Sequence, residues 1–159
     1  MGRVKVGITI DAPPRAVWAA VEPVERHVDW MADAEAIEFT SGARHGEGVA
    51  FTCLTRIGPF RLRDRMTTTE WIDGWVMGVR HDGLVSGSGR FTLQARRGGR
   101  TRLTWDERLR FPLWMGGRVG AAVARPVLRA IWKGNLRRLA EIVEQPTARR
   151  GRRLGRRAG

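Results

Sequence analysis

The chain has 159 residues, of which 42% are apolar, and this length and composition suit one domain with a hydrophobic core rather than two domains. The formal net charge is +13, but six arginines fall in the last eleven residues, so the charge does not mark the body of the domain as a nucleic-acid-binding surface. The N-terminus lacks a signal-peptide pattern and no apolar run approaches the ~20 residues needed to cross a bilayer, so we expect a cytoplasmic protein without a transmembrane segment.

The first predicted elements are a strand and two short helices. Residues 4–10 alternate apolar and polar side chains, which predicts a strand with one buried face. Asp11 is a candidate helix cap before Pro14, and Pro23 ends the short helix that follows. Residues 24–31 predict a second short helix.

Six further strands follow, separated by turns that contain glycine. We predict them at residues 36–41, 48–57, 60–72, 75–81, 85–95 and 101–111. Pairs such as Gly58-Pro59 and Gly98-Gly99 lie between consecutive apolar runs, a spacing typical of sequential antiparallel hairpins. The sequence therefore predicts seven strands in all.

Helical spacing returns after Pro112. Val119, Val123 and Val127 form one apolar stripe, and apolar residues continue at helical spacing to Val143. This pattern predicts a long C-terminal helix that lies across a curved antiparallel sheet, an α+β fold.

The end of this helix carries two expectations. Pro126 removes a backbone donor, so we expect a kink or a break near residues 122–125. We expect the helix to end near Glu144, which leaves a disordered, Arg-rich tail at residues 146–159. The alternative to a solvated tail is a weak contact with a polyanion through Arg149, Arg150, Arg152, Arg153, Arg156 and Arg157.

A cavity is expected between the sheet and the long helix, because alternate residues of each strand face that space. The candidate lining residues are Trp30, Phe51, Leu62, Asp64, Met66, Trp75, Met77, Phe91, Trp105, Glu107, Val123, Val127 and Ile131. The alternative is that Met66, Trp105 and Trp132 fill this space.

Three titratable residues share the inward parity of these apolar side chains: Asp64, His81 and Glu107. Buried charges are costly unless they are paired or hydrogen-bonded, so their position needs a reason. In one interpretation they orient a ligand or act as acid and base. In the other they lie near strand ends, pair with arginines and only close the cavity.

Other chemistry lacks a sequence signal. There is no G-x-S-x-G motif, His27 and His45 show no paired metal-ligand spacing, and the Gly-Ser-Gly at residues 87–89 lacks the rest of a nucleotide fingerprint. Cys53 has no partner for an internal disulfide, and we interpret it as a small buried hydrophobic residue. We expect neither a metal nor another cofactor.

Three segments carry a resemblance to a known family: "VGITIDAPPRAVWAAVEPVERHVDW", "GSGRFTLQARRGGRTRLTWDERL" and "NLRRLAEIVE". They resemble the START-like (SRPBCC) superfamily and, within that superfamily, the bacterial polyketide cyclase/dehydrase and lipid-transport group. The resemblance covers about residues 3–144. It implies a helix-grip fold, with a seven-stranded sheet around the C-terminal helix and two short helices between the first two strands. The family includes lipid carriers, hormone receptors and aromatase/cyclases, so the resemblance specifies fold better than function.

Three functions remain open. The first is binding of a hydrophobic molecule such as a lipid or polyketide, as carrier or sensor, with Asp64 or Glu107 as a polar anchor. The second is a polyketide-type cyclase or dehydratase that uses these carboxylates. The third is a basic module whose tail binds RNA, ribosomes or anionic membrane.

Overall fold

The computed structural model describes the backbone of residues 2–155 and the side chains of residues 2–145. The strands are β1 Gly2–Ile10, β2 Ala34–Phe39, β3 Ala50–Ile57, β4 Phe60–Ile72, β5 Val76–Asp82, β6 Ser86–Arg96 and β7 Arg100–Arg110. The helices are α1 Pro14–Val21 and α2 Gly117–Gly155, with 3₁₀ helices at Val24–Asp29 and Leu113–Met115. The predicted helix-grip α+β fold is confirmed.

All seven strands form one antiparallel sheet in the order β1-β7-β6-β5-β4-β3-β2. Helix α2 packs across its inner face, with its main strand contacts on β1. A Cβ added to Gly2 would lie 3.0 Å from Cβ of Ala121, so small residues let the start of α2 approach β1 closely. The sheet and α2 therefore enclose the space in which the core and the cavity lie.

A bulge in β4 changes which side chains face inward near the β4–β5 turn. The pairing of β4 with β5 shifts between Thr68 and Glu70, so side-chain parity changes beyond this point. As a result Trp71 packs on Trp18, while Ile72 is half exposed. Trp75 lies in the turn before β5 and is also largely exposed, so it does not face the cavity.

The face that α2 buries also differs from the prediction. Val119, Val123 and Val127 are exposed, and the buried face instead includes Ala121 and Leu128 and continues through Trp132, Leu136 and Leu139. Close packing of Ala121 against β1 sets the rotation of the helix, and this rotation turns the valines to solvent. Periodicity located the helix, but it did not identify the buried stripe.

The expected end of α2 near Glu144 is wrong, and of the kink or break expected near residues 122–125 the break is absent. The helix is continuous across Pro126, without the expected break, and it continues past Glu144 to Gly155. Pro126 and Ala122 are exposed, so the carbonyl that loses its helical partner lies on the solvent side.

No helix in the described part of the chain has both the length and the apolar character to span a membrane. The tail arginines named above lie outside the described side chains, so their contacts stay a prediction.

Aromatic rings form the centre of the core. Trp105 stacks on Trp132 of α2 with ring centroids 5.0 Å apart, and Phe91 lies 4.9 Å from Trp105. Trp30 packs edge-on against both Phe91 and Trp105. This cluster joins the sheet, the first 3₁₀ helix and α2, and it forms one wall of the cavity.

Candidate functional site

A cavity of about 140 Å³ lies between the inner face of the sheet and α2. Its apolar lining comes from β2 to β7 and from one side of α2. The residues that line it are His27, Met31, Asp33, Ala34, Ile37, Phe51, Cys53, Thr55, Ile57, Leu62, Asp64, Met66, Met77, Val79, His81, Val85, Phe91, Trp105, Glu107, Leu109, Phe111, Leu128 and Trp132. Trp105, Trp132 and Met66 border the space without filling it.

Eight of the thirteen candidate residues lie on this lining: Phe51, Leu62, Asp64, Met66, Met77, Phe91, Trp105 and Glu107. The other five do not. Trp30 is buried behind Phe91, Ile131 is half-buried on α2, and Trp75, Val123 and Val127 are exposed for the reasons given above. The strand positions were therefore placed better than the helix positions, because the two-residue period of a strand leaves only two possible faces.

Asp64, His81 and Glu107, here called the polar cluster, come from β4, β5 and β7 and are all buried. Nε2 of His81 lies 3.2 Å from Oε2 of Glu107, and Nε1 of Trp105 donates a 2.8 Å hydrogen bond to Oε1 of Glu107. Oδ1 of Asp64 has no hydrogen-bond partner among the described residues. No arginine pairs with the cluster within residues 2–145, and this differs from the interpretation in which these residues pair with arginines and only close the cavity.

Burial and charge set the protonation of this cluster. Burial lowers the pKa of His81, but the contact and charge of Glu107, together with the charges of Asp64 and Asp82, outweigh burial and leave that pKa raised. Burial raises the pKa of Asp64, and the charge of His81 opposes this only in part. The cluster can therefore hold a proton on His81 and can present Asp64 to a ligand as donor or acceptor.

Two glycines on the β5–β6 hairpin make room for the carboxylates. A Cβ added to Gly83 would overlap the carboxylate of Asp64, and one added to Gly89 would overlap that of Glu107. The Gly-Ser-Gly at residues 87–89, which lacks the rest of a nucleotide fingerprint, lies on β6. Its second glycine gives Glu107 its place beside the cavity.

Sequence analysis missed His27 and Asp33 as lining residues. Nε2 of His27 lies 2.7 Å from the carbonyl oxygen of Val21 and donates to it, because a carbonyl can only accept. Burial lowers the pKa of His27 to about 4, so the ring is neutral near pH 7. Asp33 accepts a 2.7 Å hydrogen bond from the fully buried Asn135 of α2. Neither side chain follows a strand pattern, so periodicity carried no signal for them.

A second group of titratable side chains lies on the surface. Nδ1 of His45 lies 2.7 Å from Oε1 of Glu22, and its Nε2 lies 3.4 Å from Oδ1 of Asp73. These three residues could offer ligand atoms to a metal ion, since the atoms lie within 4.8 Å of one another. Both ring nitrogens already face carboxylates, however, so the arrangement joins three loops by itself.

Sequence comparison matches residues 1–144 to the family described as "Polyketide cyclase / dehydrase and lipid transport". No functionally curated protein is similar enough in sequence to count as a match.

Several solved structures share the fold. TTHA0849 from Thermus thermophilus superimposes with a TM-score of 0.74 at 19% identity, covering 91% of this chain and 98% of that one. XoxI from Bacillus cereus gives 0.71 at 13% identity, with 90% and 96% covered. ZhuI aromatase/cyclase from Streptomyces sp. R1128 gives 0.69 at 19% identity, with 91% and 94% covered. At such identities the likeness concerns the fold alone.

Proposed function

Because the chain belongs to the polyketide cyclase/dehydrase and lipid transport family (SRPBCC), we propose that it binds a hydrophobic small molecule, such as a lipid or a polyketide, as a carrier or sensor. The observation that carries this proposal is an apolar cavity with the buried polar cluster on its wall. An apolar pocket with a few convergent polar groups is the usual form of a small-molecule site.

The size of the cavity limits which part of the ligand enters it. Its volume of about 140 Å³ resembles the dry cavities of ~150 Å³ that take up benzene. It therefore suits one ring or the end of an acyl chain, while the rest of a larger ligand extends through the opening. Each buried methylene contributes about 0.8 kcal/mol, and Asp64 supplies one polar anchor.

Native mass spectrometry of protein purified without detergent, followed by organic extraction, tests this proposal. We expect a stoichiometric apolar adduct that is lost on denaturation. A matched pair of variants at Cys53 locates it: Cys53→Phe should fill the cavity and remove the adduct, while Cys53→Ala should retain it. An adduct that persists in folded Cys53→Phe, confirmed by circular dichroism, would contradict the proposed location.

A second candidate function is acid–base catalysis on a polyketide-like substrate, as in a cyclase or dehydratase. The observation that favours it is the buried His81–Glu107 contact beside an oxygen of Asp64 that has no hydrogen-bond partner among residues 2–145. Such an arrangement can remove a proton next to a carbonyl and return one to an oxygen, provided that both groups reach the substrate. A carrier needs only one of these groups as an anchor.

Asp64→Asn and Glu107→Gln separate the two functions. For an enzyme, either change should lower turnover of a linear poly-β-ketone thioester by about 10²-fold or more while the fold is retained. For a carrier, both variants should keep the adduct with a modest loss of affinity. Turnover is followed by mass spectrometry of the product, and wild-type protein that converts none of this substrate would remove support for catalysis on this substrate class.

A further inference from the structure

Exposed apolar side chains lie together at one end of the strands. Leu113 is 91% and Trp114 73% exposed, on the 3₁₀ helix after β7. Phe60 and Leu84 are also exposed, at the β3–β4 and β5–β6 turns. Because neighbouring strands alternate in direction, these three connections lie at the same end of the strands. We call the four residues the apolar rim.

The lining of the cavity reaches this same end of the strands. Its lining residues near the turns, Ile57, Leu62 and Phe111, are half-buried, whereas Met77 and Phe91 farther along the strands are buried. A ligand that leaves the cavity at this end would pass the apolar rim.

The start of α2 extends the apolar surface. Val119 and Val123 are 73% and 71% exposed, and Val127 is exposed one turn further on. The side chain of Leu113 lies beside Gly117, the first residue of α2, so these valines follow directly from the apolar rim. Such a cluster of exposed apolar side chains marks an interaction surface.

Positive charge surrounds this surface. Residues 108–140 contain eight lysines and arginines and no acidic residue. Arg110, Arg118 and Arg125 are exposed, and none has an ion-pair partner within residues 2–145. Arg125 also borders a groove between α2 and β1 that contains Lys5 and Arg129. A second copy of the chain would bring like charges together, so self-association through this face is disfavoured.

We propose that the apolar rim and the exposed valines of α2 dock the protein on an anionic lipid bilayer. Aromatic and aliphatic tips surrounded by arginines are the composition of surfaces that lie at the membrane interface. A bilayer docked here would also present an apolar phase at the end of the strands that the cavity lining reaches. Docking itself needs no ligand, whereas exchange of a ligand with the bilayer rests on the proposed function.

Co-sedimentation with vesicles tests this proposal on the full chain. We expect binding to phosphatidylcholine vesicles that contain about 30% phosphatidylglycerol and much weaker binding to phosphatidylcholine alone. Trp114→Ser should weaken the partition coefficient about tenfold. Trp75→Ser is the matched control, since Trp75 is an exposed tryptophan in the β4–β5 turn, at the opposite end of the strands. This variant should bind like wild type.

Charge variants test the electrostatic part. Arg118→Gln and Arg125→Gln should each weaken binding about fivefold, the effect of one basic residue near an anionic surface. A variant with all six arginines of residues 149–157 replaced by glutamine separates the tail from the domain, and it should still lose binding when Trp114→Ser is added.

Three outcomes would overturn the proposal. They are no binding to anionic vesicles, which would leave the surface to an acidic protein partner; equal losses for Trp114→Ser and Trp75→Ser; and loss that follows the tail arginines alone. Cys53→Phe should dock like wild type, so failure of ligand binding and failure of docking are measured separately.

Discussion

His27 illustrates how burial decides the chemistry of a single residue. The ring lies against the cavity, donates to the carbonyl of Val21 and is within 5.0 Å of the ring of Trp30. Protonation would place a charge among apolar groups, and for this reason its pKa falls from 6.5 to about 4. The unfolded chain has no such penalty, so it binds this proton more readily than the folded protein does.

The folded protein should therefore lose stability as the pH falls from 6.5 towards 4. The stability that His27 contributes and that is lost in full below pH 4 is about 3.5 kcal/mol, since each pKa unit corresponds to about 1.4 kcal/mol. In His27→Gln, whose amide can still donate to Val21, this contribution is absent. We expect the free energy of unfolding to drop between pH 7 and pH 4.5 by about 2–3 kcal/mol more in wild type than in the variant.

Denaturant unfolding at both pH values measures this difference. Asp64 and His81 also titrate, with raised pKa values, but both are present in the two proteins and their contributions cancel in the comparison. Equal drops in wild type and His27→Gln would show that His27 is not held neutral by burial.

At the scale of elements, the β5–β6 hairpin positions the polar cluster although it contributes only His81. Gly83 and Gly89 are the positions where the hairpin backbone passes over the carboxylates of Asp64 and Glu107. A strand normally gains from a β-branched or aromatic residue, so glycine here weakens the strand and in exchange opens space for a buried acid.

Gly89→Ala should destabilise the protein by about 1–3 kcal/mol, because the new methyl group displaces the carboxylate of Glu107. Glu107 would then lose its contacts with Trp105 and His81. Without that charge, burial dominates and the pKa of His81 should fall, as NMR titration would show. Gly134→Ala is the control: its Cβ meets no atom within 4 Å on α2, so it should stabilise by about 0.5–1 kcal/mol. An unchanged His81 pKa in Gly89→Ala would contradict this role.

At the scale of the whole molecule, several properties coincide at one end of the strands. This end is formed by the β3–β4 turn, the β5–β6 turn and the end of β7. The lining of the cavity reaches this end, the apolar rim lies on its turns, and α2 begins there with exposed valines and with arginines that have no ion-pair partner among residues 2–145. By contrast, arginines on the outer sheet face such as Arg3 and Arg90 pair with Asp106 and Glu70. The net charge of +13 is therefore less informative than its distribution.

Most of the fold could be predicted from the sequence, because seven strands with a two-residue period, separated by glycine turns, leave few arrangements. The same parity placed Asp64, His81 and Glu107 on one inner face. It failed at Trp75, because this residue lies in the turn before β5, beyond the end of the paired strand, where its side chain is 45% exposed.

The sequence by itself determined the order of elements, the helix-grip architecture and the inward strand residues, since these depend on local periodicity and turn chemistry. Only the tertiary structure decided the rotation of α2, the 3.2 Å contact of His81 with Glu107 and the exposure of the rim. These features arise where segments distant in the chain pack against each other. Helix rotation depends on the close approach of Ala121 to Gly2, and steric fit between two surfaces has no counterpart in the period of either segment.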